Sequence, residues 1–432
     1  MQRFDLFKEC KNRRTALVKE ILQQNPGVQK GVVILFANFE TEARNLFKQE
    51  SNFFYLTGII EPAAVFCTYF DHSSMQEILY MPNYAEERQK WVNMLVGPGC
   101  DPASFEIDLI KNLGREISIH ICKPIFTPDL YQNLISDISA WVESGANVFT
   151  PWEKSPSCES GQVLFEYLAK WVPCVGVGAK SCSTIVDKMR RTKCDYELGM
   201  MNNAIGVTMA AHEAACKIIA PERFEFQVQA AVEYVFTYTG AQKAFPSIVA
   251  TGKNTTVLHY SDNYNQLQDG DLVVVDIGAE WGFYASDLTR TYPVSGKFTN
   301  RQRQIYDVVL ATQTYIESIA KPGMYLKSFQ YPEKSLLHLA IKFLDGLGLA
   351  KYFVHGIGHY LGLDAHDVGS YDIPLQENDV FTIEPGIYIP NESLGVRIED
   401  DYLMTPHGAV CLSCELPKSA KDVEKMMLIS QD

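Results

Sequence analysis

No run in the 432 residues approaches the roughly eighteen consecutive apolar positions of a membrane-spanning helix, which argues against insertion in a bilayer. The first fourteen residues, MQRFDLFKECKNRR, lack the apolar core of a secretory leader, which argues against export. Basic residues are in deficit: 38 Lys and Arg stand against 52 Asp and Glu, a formal net charge of -14. A polyanion is repelled by such a chain, so neither nucleic acid nor an anionic membrane is expected as a partner. The eleven cysteines are odd in number and follow no framework spacing, as expected of reduced thiols in a cytoplasmic protein. Cys411 and Cys414 form a lone CxxC without a second pair, and are read as packing residues rather than a metal or redox site. Short-period repeats, low-complexity tracts and heptads are also missing.

What is present is an ordinary globular composition, 47% hydrophobic and 21% charged, in a chain long enough for two domains. Apolar residues at helical spacing run from Phe4 to Leu22 and stop at Asn25-Pro26-Gly27. Strands are predicted at 31–38, 52–58, 63–70 and 77–83, with helices at 102–114 and 127–143, an α/β pattern. The small-residue stretch VGVGAKSCS follows Trp171-Val172-Pro173 and places a boundary near 172. Beyond it the spacing predicts helices over 196–219, 224–239, 301–319 and 326–344. Strands are predicted at 255–260, 271–279, 284–293, 379–389 and 396–404, so this half reads as α+β.

Four segments of that second half concentrate chemistry. In DLVVVDIGAEWGFYASDLTRTYPV a hairpin turning between Trp281 and Gly282 sets Asp276 opposite Asp287. Like charges so placed repel unless a cation lies between them; two carboxylates on a solvated face are the plain alternative, although the apolar VVV run before Asp276 indicates a buried strand. HGIGHYLGLDAHD holds three of the nine histidines, His355, His359 and His366. Its glycines disfavour a metal-binding helix and match a dinucleotide fingerprint poorly, so the segment is read as a loop presenting imidazoles. In VFTIEPGIYI, Glu384 interrupts an apolar strand before Pro385; in GVRIEDDYL, Arg397 and Glu399 share a strand face, where a surface ion pair is the plain reading. Together the segments offer Asp276, Asp287, Glu384, Glu399 and His359. This oxygen-rich, thiolate-free set suits two divalent ions such as manganese, cobalt or zinc, and two dications can hold a bridging hydroxide as nucleophile.

These residues resemble the pita-bread metallopeptidases, and among them the Xaa-Pro aminopeptidases (aminopeptidase P) and prolidases; KNRRTALVKEIL with QESNFFYLTGIIEPAAV is similar to the N-terminal region of the aminopeptidase P group. The resemblance covers nearly the whole chain. It implies an α/β N-terminal domain of the creatinase/aminopeptidase P type at 1–172 and an α+β pita-bread catalytic domain at 173–432. It implies two divalent ions, manganese first, on Asp276, Asp287, His359, Glu384 and Glu399. Release of the residue preceding proline would proceed by attack of a metal-bridging hydroxide, with Glu384 as proton acceptor. His259 would orient substrate, His355 and His366 would contact the scissile amide and the oxyanion, and Arg397 would fix neighbouring carboxylates bidentately. Trp91 matches a pocket tryptophan that a neighbouring subunit can contribute, which goes with a homodimer or homotetramer. The alternatives are a prolidase confined to Xaa-Pro dipeptides, and an inactive pita-bread protein used for binding. A metal-free creatinase-like hydrolase has no use for the intact ligand set.

Overall fold

The computed structural model describes residues 3–40, 47–90, 96–97, 99–117, 124–151 and 159–429, in two compact units, Met1–Met189 and Arg190–Asp432. Met1–Met189 is built on a six-stranded sheet. Its strands are β1 (Lys30–Phe36), β2 (Val65–Asp71), β3 (Met75–Met81), β4 (Leu109–Asn112), β5 (Asn147–Thr150) and β6 (Lys180–Ser181), in the order β4-β3-β2-β1-β5-β6. The central β1–β3 pairs are antiparallel and the outer pairs parallel, and the helix Gln132–Glu143 contributes Leu134 and Ile138 to the same core as Val32, Ile34 and Cys67. The opening helix, Arg3–Gln24, buries Arg14, whose guanidinium meets Glu77 of β3 at 2.5 and 2.9 Å.

Three expectations for this unit are corrected. NFFYLTG is not a strand but a helix, Ser51–Thr57: the Glu50 carboxylate accepts the Phe53 N–H at 2.6 Å, and Gly58 closes the helix at φ +68°. The run is apolar on every side and carries no period, so the end residues decide its form. The helix expected over 102–114 is a 3-10 turn, Pro102–Phe105, followed by strand β4, because Glu106 turns left-handed and Leu109–Asn112 finds a parallel partner in β3. The boundary expected near 172 lies at 189/190. VGVGAKSCS folds as a short helix, Pro173–Gly178, and as β6, which pairs with β5.

Arg190–Asp432 is α+β. The strands β8 (Ile248–Thr251), β9 (Leu272–Ile277) and β12 (Leu288–Pro293) form one antiparallel sheet, and β7 (Gln242–Lys243), β10 (Ala279–Trp281) and β11 (Tyr284–Ala285) form another. A third contains β13 (Val380–Ile383), β16 (Asp400–Thr405) and β17 (Gly408–Cys411), and β14 (Gly386–Ile389) pairs with β15 (Leu394–Arg397). The helices Asp195–Ile218, Glu225–Thr239, Asn300–Ile319 and Leu336–Asp345 share one apolar core with these strands. Residues 326–335, expected as helix, are irregular up to a 3-10 turn at Pro332, and the helix starts where Ser335 accepts the His338 N–H. The strand expected at 255–260 is a 3-10 turn, Gly252–Thr256, running into a loop.

The β10–β11 turn lies one residue later than expected. Trp281 pairs with Tyr284, and Gly282 and Phe283 both take positive φ, +58° and +74°, as a tight two-residue hairpin requires. Asp276 consequently faces Thr289, not Asp287. A pairing shift of two residues preserves the face, and so Asp276 and Asp287 still open on the same cavity.

His212 is fully buried on the helix Asp195–Ile218; its Nε2–H donates to the Leu288 carbonyl at 3.1 Å and its Nδ1 accepts the Tyr292 hydroxyl at 3.0 Å. Burial first, then the Arg290 charge, lowers its pKa from 6.5 to about 3. The unfolded chain takes up a proton below pH 6.5 that the folded chain refuses until about 3, so this stabilisation is present above 6.5 and is lost as the pH falls. Thermal unfolding measured from pH 7.5 to 4 should therefore show a shallower acid decline of Tm in His212→Gln than in the wild type; equal slopes would contradict the assignment.

Candidate metal centre and substrate cavity

Three of the five expected ligands stand where a strand breaks or changes partner, and a fourth lies just inside a strand end. β13 pairs with β16 and β14 with β15, and the switch falls at Glu384-Pro385, where proline cannot continue the ladder. The matching switch between β15 and β16 contains Glu399, which is bridged to Thr289 of β12. Asp287 lies in the interruption between β11 and β12, and Asp276 is the penultimate residue of β9. His359 comes from the glycine-rich loop, as expected. That loop lies along β13, with Thr382 N–H to His359 O, Leu361 N–H to Val380 O and Glu384 N–H to Ile357 O at 2.9, 3.1 and 2.9 Å. Gly358 is required there, since a Cβ would come within 1.9 Å of the Thr382 carbonyl oxygen.

Asp287, His359 and Glu399 offer ligand atoms that all lie within 4.8 Å of one another. His359 Nε2 is 3.5 Å from Asp287 Oδ2 and 3.8 Å from both Glu384 Oε1 and Glu399 Oε1. Its other nitrogen, Nδ1–H, donates to the Tyr360 carbonyl at 3.1 Å, which turns the Nε2 lone pair towards the three carboxylates. That arrangement needs a cation among them. Asp276 and Glu399 are each held by one oxygen, Oδ2 by Arg397 at 2.6 Å and Oε2 by the Thr289 hydroxyl at 2.7 Å. Their second oxygens, Asp276 Oδ1 and Glu399 Oε1, are buried without a hydrogen-bond partner. Bare, buried carboxylate oxygens beside an imidazole lone pair are a donor set that fits divalent cations of the harder kind.

The electrostatics agree. Burial, then the neighbouring Glu399 charge, pushes Glu384 up to about 8 and raises Asp287 well above the carboxylate range; burial raises Glu399 too. Burial opposes a charge on His359, yet bonding and attraction from Asp287 and Glu399 outweigh it and raise its pKa. A bound dication reverses this repulsion, because it becomes the largest local charge.

Arg397 is buried rather than part of a surface pair, and it binds Asp276 through a single nitrogen, not bidentately. Its Nη1 donates to the Tyr388 hydroxyl at 2.9 Å, and that hydroxyl donates to His355 Nε2 at 2.9 Å; His355 Nδ1–H is taken by the Gly356 carbonyl at 2.8 Å. Both nitrogens of His355 are thus engaged. Among the described residues His366 has no hydrogen-bond partner, and its ring centre lies 4.2 Å from that of His359. Burial, the first cause for both, lowers His355 and His366 to about 4, so both are neutral at pH 7. His259 is exposed on the loop after the 3-10 turn and lines the same cavity.

That cavity, of about 630 Å³, holds all five expected ligands together with His259, His355, His366 and Arg397. Its apolar wall of Phe245, Pro246, Ile248, Leu258 and Tyr371 was not foreseen, and nothing in their local pattern marks them. Tyr388 was also missed, although it lies four positions past Glu384 in the segment already singled out. Trp91 lies outside the described residues.

Residues 199–406 match the metallopeptidase family M24, and residues 10–116 match the aminopeptidase P N-terminal domain. The Xaa-Pro aminopeptidase of Haemophilus influenzae is 30% identical over 97% of this chain and 97% of its own. The chain belongs to the aminopeptidase P group of metallopeptidase family M24. The mitochondrial intermediate cleaving peptidase 55 of Arabidopsis thaliana is also 30% identical, over 88% of this chain and 75% of that protein. A Bacillus anthracis structure provisionally named an aminopeptidase P superimposes with a TM-score of 0.83 at 30% identity, covering 99% of both chains. The fold is therefore the expected one, an aminopeptidase P-type N-terminal domain and a pita-bread metallopeptidase domain.

If cations resolve the repulsion, Asp287→Asn acts oppositely with and without metal. Without metal, at pH 8, it removes one buried like charge and should raise Tm by a few degrees, at about 2–4 °C per kcal/mol for a unit of this size. With manganese added, the variant should gain less Tm than the wild type and bind fewer ions. Scanning calorimetry with and without chelator checks both signs, and a metal-free variant less stable than the metal-free wild type would contradict the account.

Proposed function

We propose that this chain is a dinuclear-metal aminopeptidase that releases the first residue from peptides with proline in second position. The carrying observation is the group of four carboxylates, three of them buried, and His359, with bare oxygens on Asp276 and Glu399, opening on a cavity with neutral imidazoles and an apolar wall. The name Xaa-Pro aminopeptidase, carried by relatives matched over nearly their whole length, supports the same reading. We assign Asp276, Asp287, His359, Glu384 and Glu399 as the residues that hold two divalent ions, manganese by preference. When bound, such ions lower the pKa of coordinated water so that a nucleophile exists at neutral pH, and they polarise the scissile carbonyl.

The chain's own residues do the rest. Arg397 holds Asp276 in place. Glu384, whose Oε2 lies 3.8 Å from His355 Nδ1, accepts the proton and passes it towards the departing proline nitrogen. His366, neutral and without a competing partner, donates an N–H to the developing oxyanion. His355 has both nitrogens engaged, so in this arrangement it acts as a fixed wall beside the scissile bond, with Tyr388 holding its orientation. His259 orients the peptide from the cavity rim.

The chain works in the cytoplasm on this reading. Among the described residues no helix is long and apolar enough to cross a membrane, and the described cysteines form no disulfide. A homodimer or homotetramer is the proposed assembly, to be measured by light scattering.

Substrate length is the test. In manganese the enzyme should release the first amino acid from an Xaa-Pro-Yaa tripeptide at least as fast as from the Xaa-Pro dipeptide, because contacts beyond the proline add binding usable in the transition state. Peptides without proline at the second position should be poor substrates. Activity confined to dipeptides would make the chain a prolidase. His366→Ala should cost about 10² to 10³ in kcat with metal content unchanged; parallel loss of metal would make His366 a ligand instead.

A further inference from the structure

His259 sits on a long connection, residues 252–265, whose only regular element is the 3-10 turn Gly252–Thr256. It leaves β8, an edge strand in its sheet. Edge N–H groups need partners other than a neighbouring strand. Here side chains supply them: Val249 N–H donates to Asn263 Oδ1 at 3.0 Å, and Thr251 N–H donates to Glu225 Oε1 at 2.7 Å.

Glu225 collects more than that one bond. It opens the helix Glu225–Thr239 and is fully buried. A buried carboxylate is costly unless its oxygens are satisfied. Its Oε1 also accepts Asn254 Nδ2 at 3.2 Å, while Oε2 accepts the Tyr260 hydroxyl and the Asn265 N–H, both at 2.7 Å. The helix N-terminus further favours its negative charge. Glu225 N–H in turn donates to the Asn265 carbonyl at 2.9 Å. One carboxylate thus ties the start, middle and end of the connection to a single helix end. Tyr260 is the middle tie. Its ring packs against Ile248, Ala250 and Val274, and its hydroxyl also accepts the Tyr264 N–H at 3.3 Å. On either side of it Leu258, His259 and Ser261 line the substrate cavity.

We propose that Glu225 is a positioning residue for His259, acting through the Tyr260 hydroxyl to fix where the imidazole meets the peptide. The inference rests on the reading of His259 as a substrate-facing group. Glutamine cannot reproduce the role, since its single acceptor oxygen leaves one pair of donors facing an NH₂ group.

A double-mutant cycle on the full-length, manganese-loaded enzyme tests it. Tyr260→Phe deletes one hydroxyl and keeps the ring in its apolar seat. It should lower kcat/KM for an Xaa-Pro-Yaa tripeptide on the order of tenfold, mainly through KM, and Glu225→Gln should lower it up to about 10²-fold, the scale of a small misplacement. Bound metal should not change in either variant. In a His259→Ala background Tyr260→Phe should change kcat/KM by less than about twofold, because the group it positions is gone. Should His259→Ala be too slow to assay, the same cycle is read from calorimetric affinity for the leaving product Pro-Yaa. Equal factors in both backgrounds, or loss of metal in Tyr260→Phe, would overturn the proposal. A wild type unable to cut the tripeptide would instead overturn the activity on which it rests.

Discussion

The catalytic half of this protein is organised around mutual repulsion. Asp276, Asp287, Glu384 and Glu399 line one cavity, three of them under one-tenth exposed, with Arg397 as the cation in contact with Asp276. No packing of apolar side chains offsets such a concentration of like charge, and the raised pKa of Glu384, Asp287 and Glu399 expresses the same strain. The strand switches at Pro385 and Ile398 and the break before Leu288 follow from it. A continuous ladder would send successive side chains to alternate faces, whereas switching partners lets three sheets aim carboxylates at one point.

The surroundings keep that point usable. One oxygen of Asp276 and one of Glu399 are anchored by Arg397 and Thr289, which leaves the other of each bare. The imidazoles of His355 and His366 are kept neutral by burial, so they add nothing to the field of a bound ion, and His366 alone keeps an N–H without a partner among the described residues. The apolar wall of Phe245, Pro246 and Leu258 suits a ring-shaped residue next to the scissile bond. Charge, neutral donors and apolar surface divide the cavity between bond cleavage and recognition.

Much of this was legible in the sequence, for physical reasons. A carboxylate inside VVVDI or TIEPGIYI contradicts its apolar neighbours, and only a ligand or partner resolves the contradiction. The face shared by Asp276 and Asp287 survived a turn placed one residue too early, because strand parity tolerates a shift of two. What stayed hidden depends on contacts distant in sequence. NFFYLTG reads as a strand by composition and is a helix through Glu50 and Gly58; Leu109–Asn112 is a strand because β3 has a free edge. The Tyr388 bond to His355 Nε2, and the ties from Glu225 to the His259 connection, involve residues more than twenty positions apart and leave no local pattern.

Counting the ions tests the central claim most directly. After equilibrium dialysis against manganese, elemental analysis should find two divalent ions per chain, removable by chelator with loss of peptidase activity and a fall in Tm, because an ion bound only by the folded state stabilises it by mass action. A fully active chain with no bound metal, and a Tm indifferent to chelator, would contradict the account.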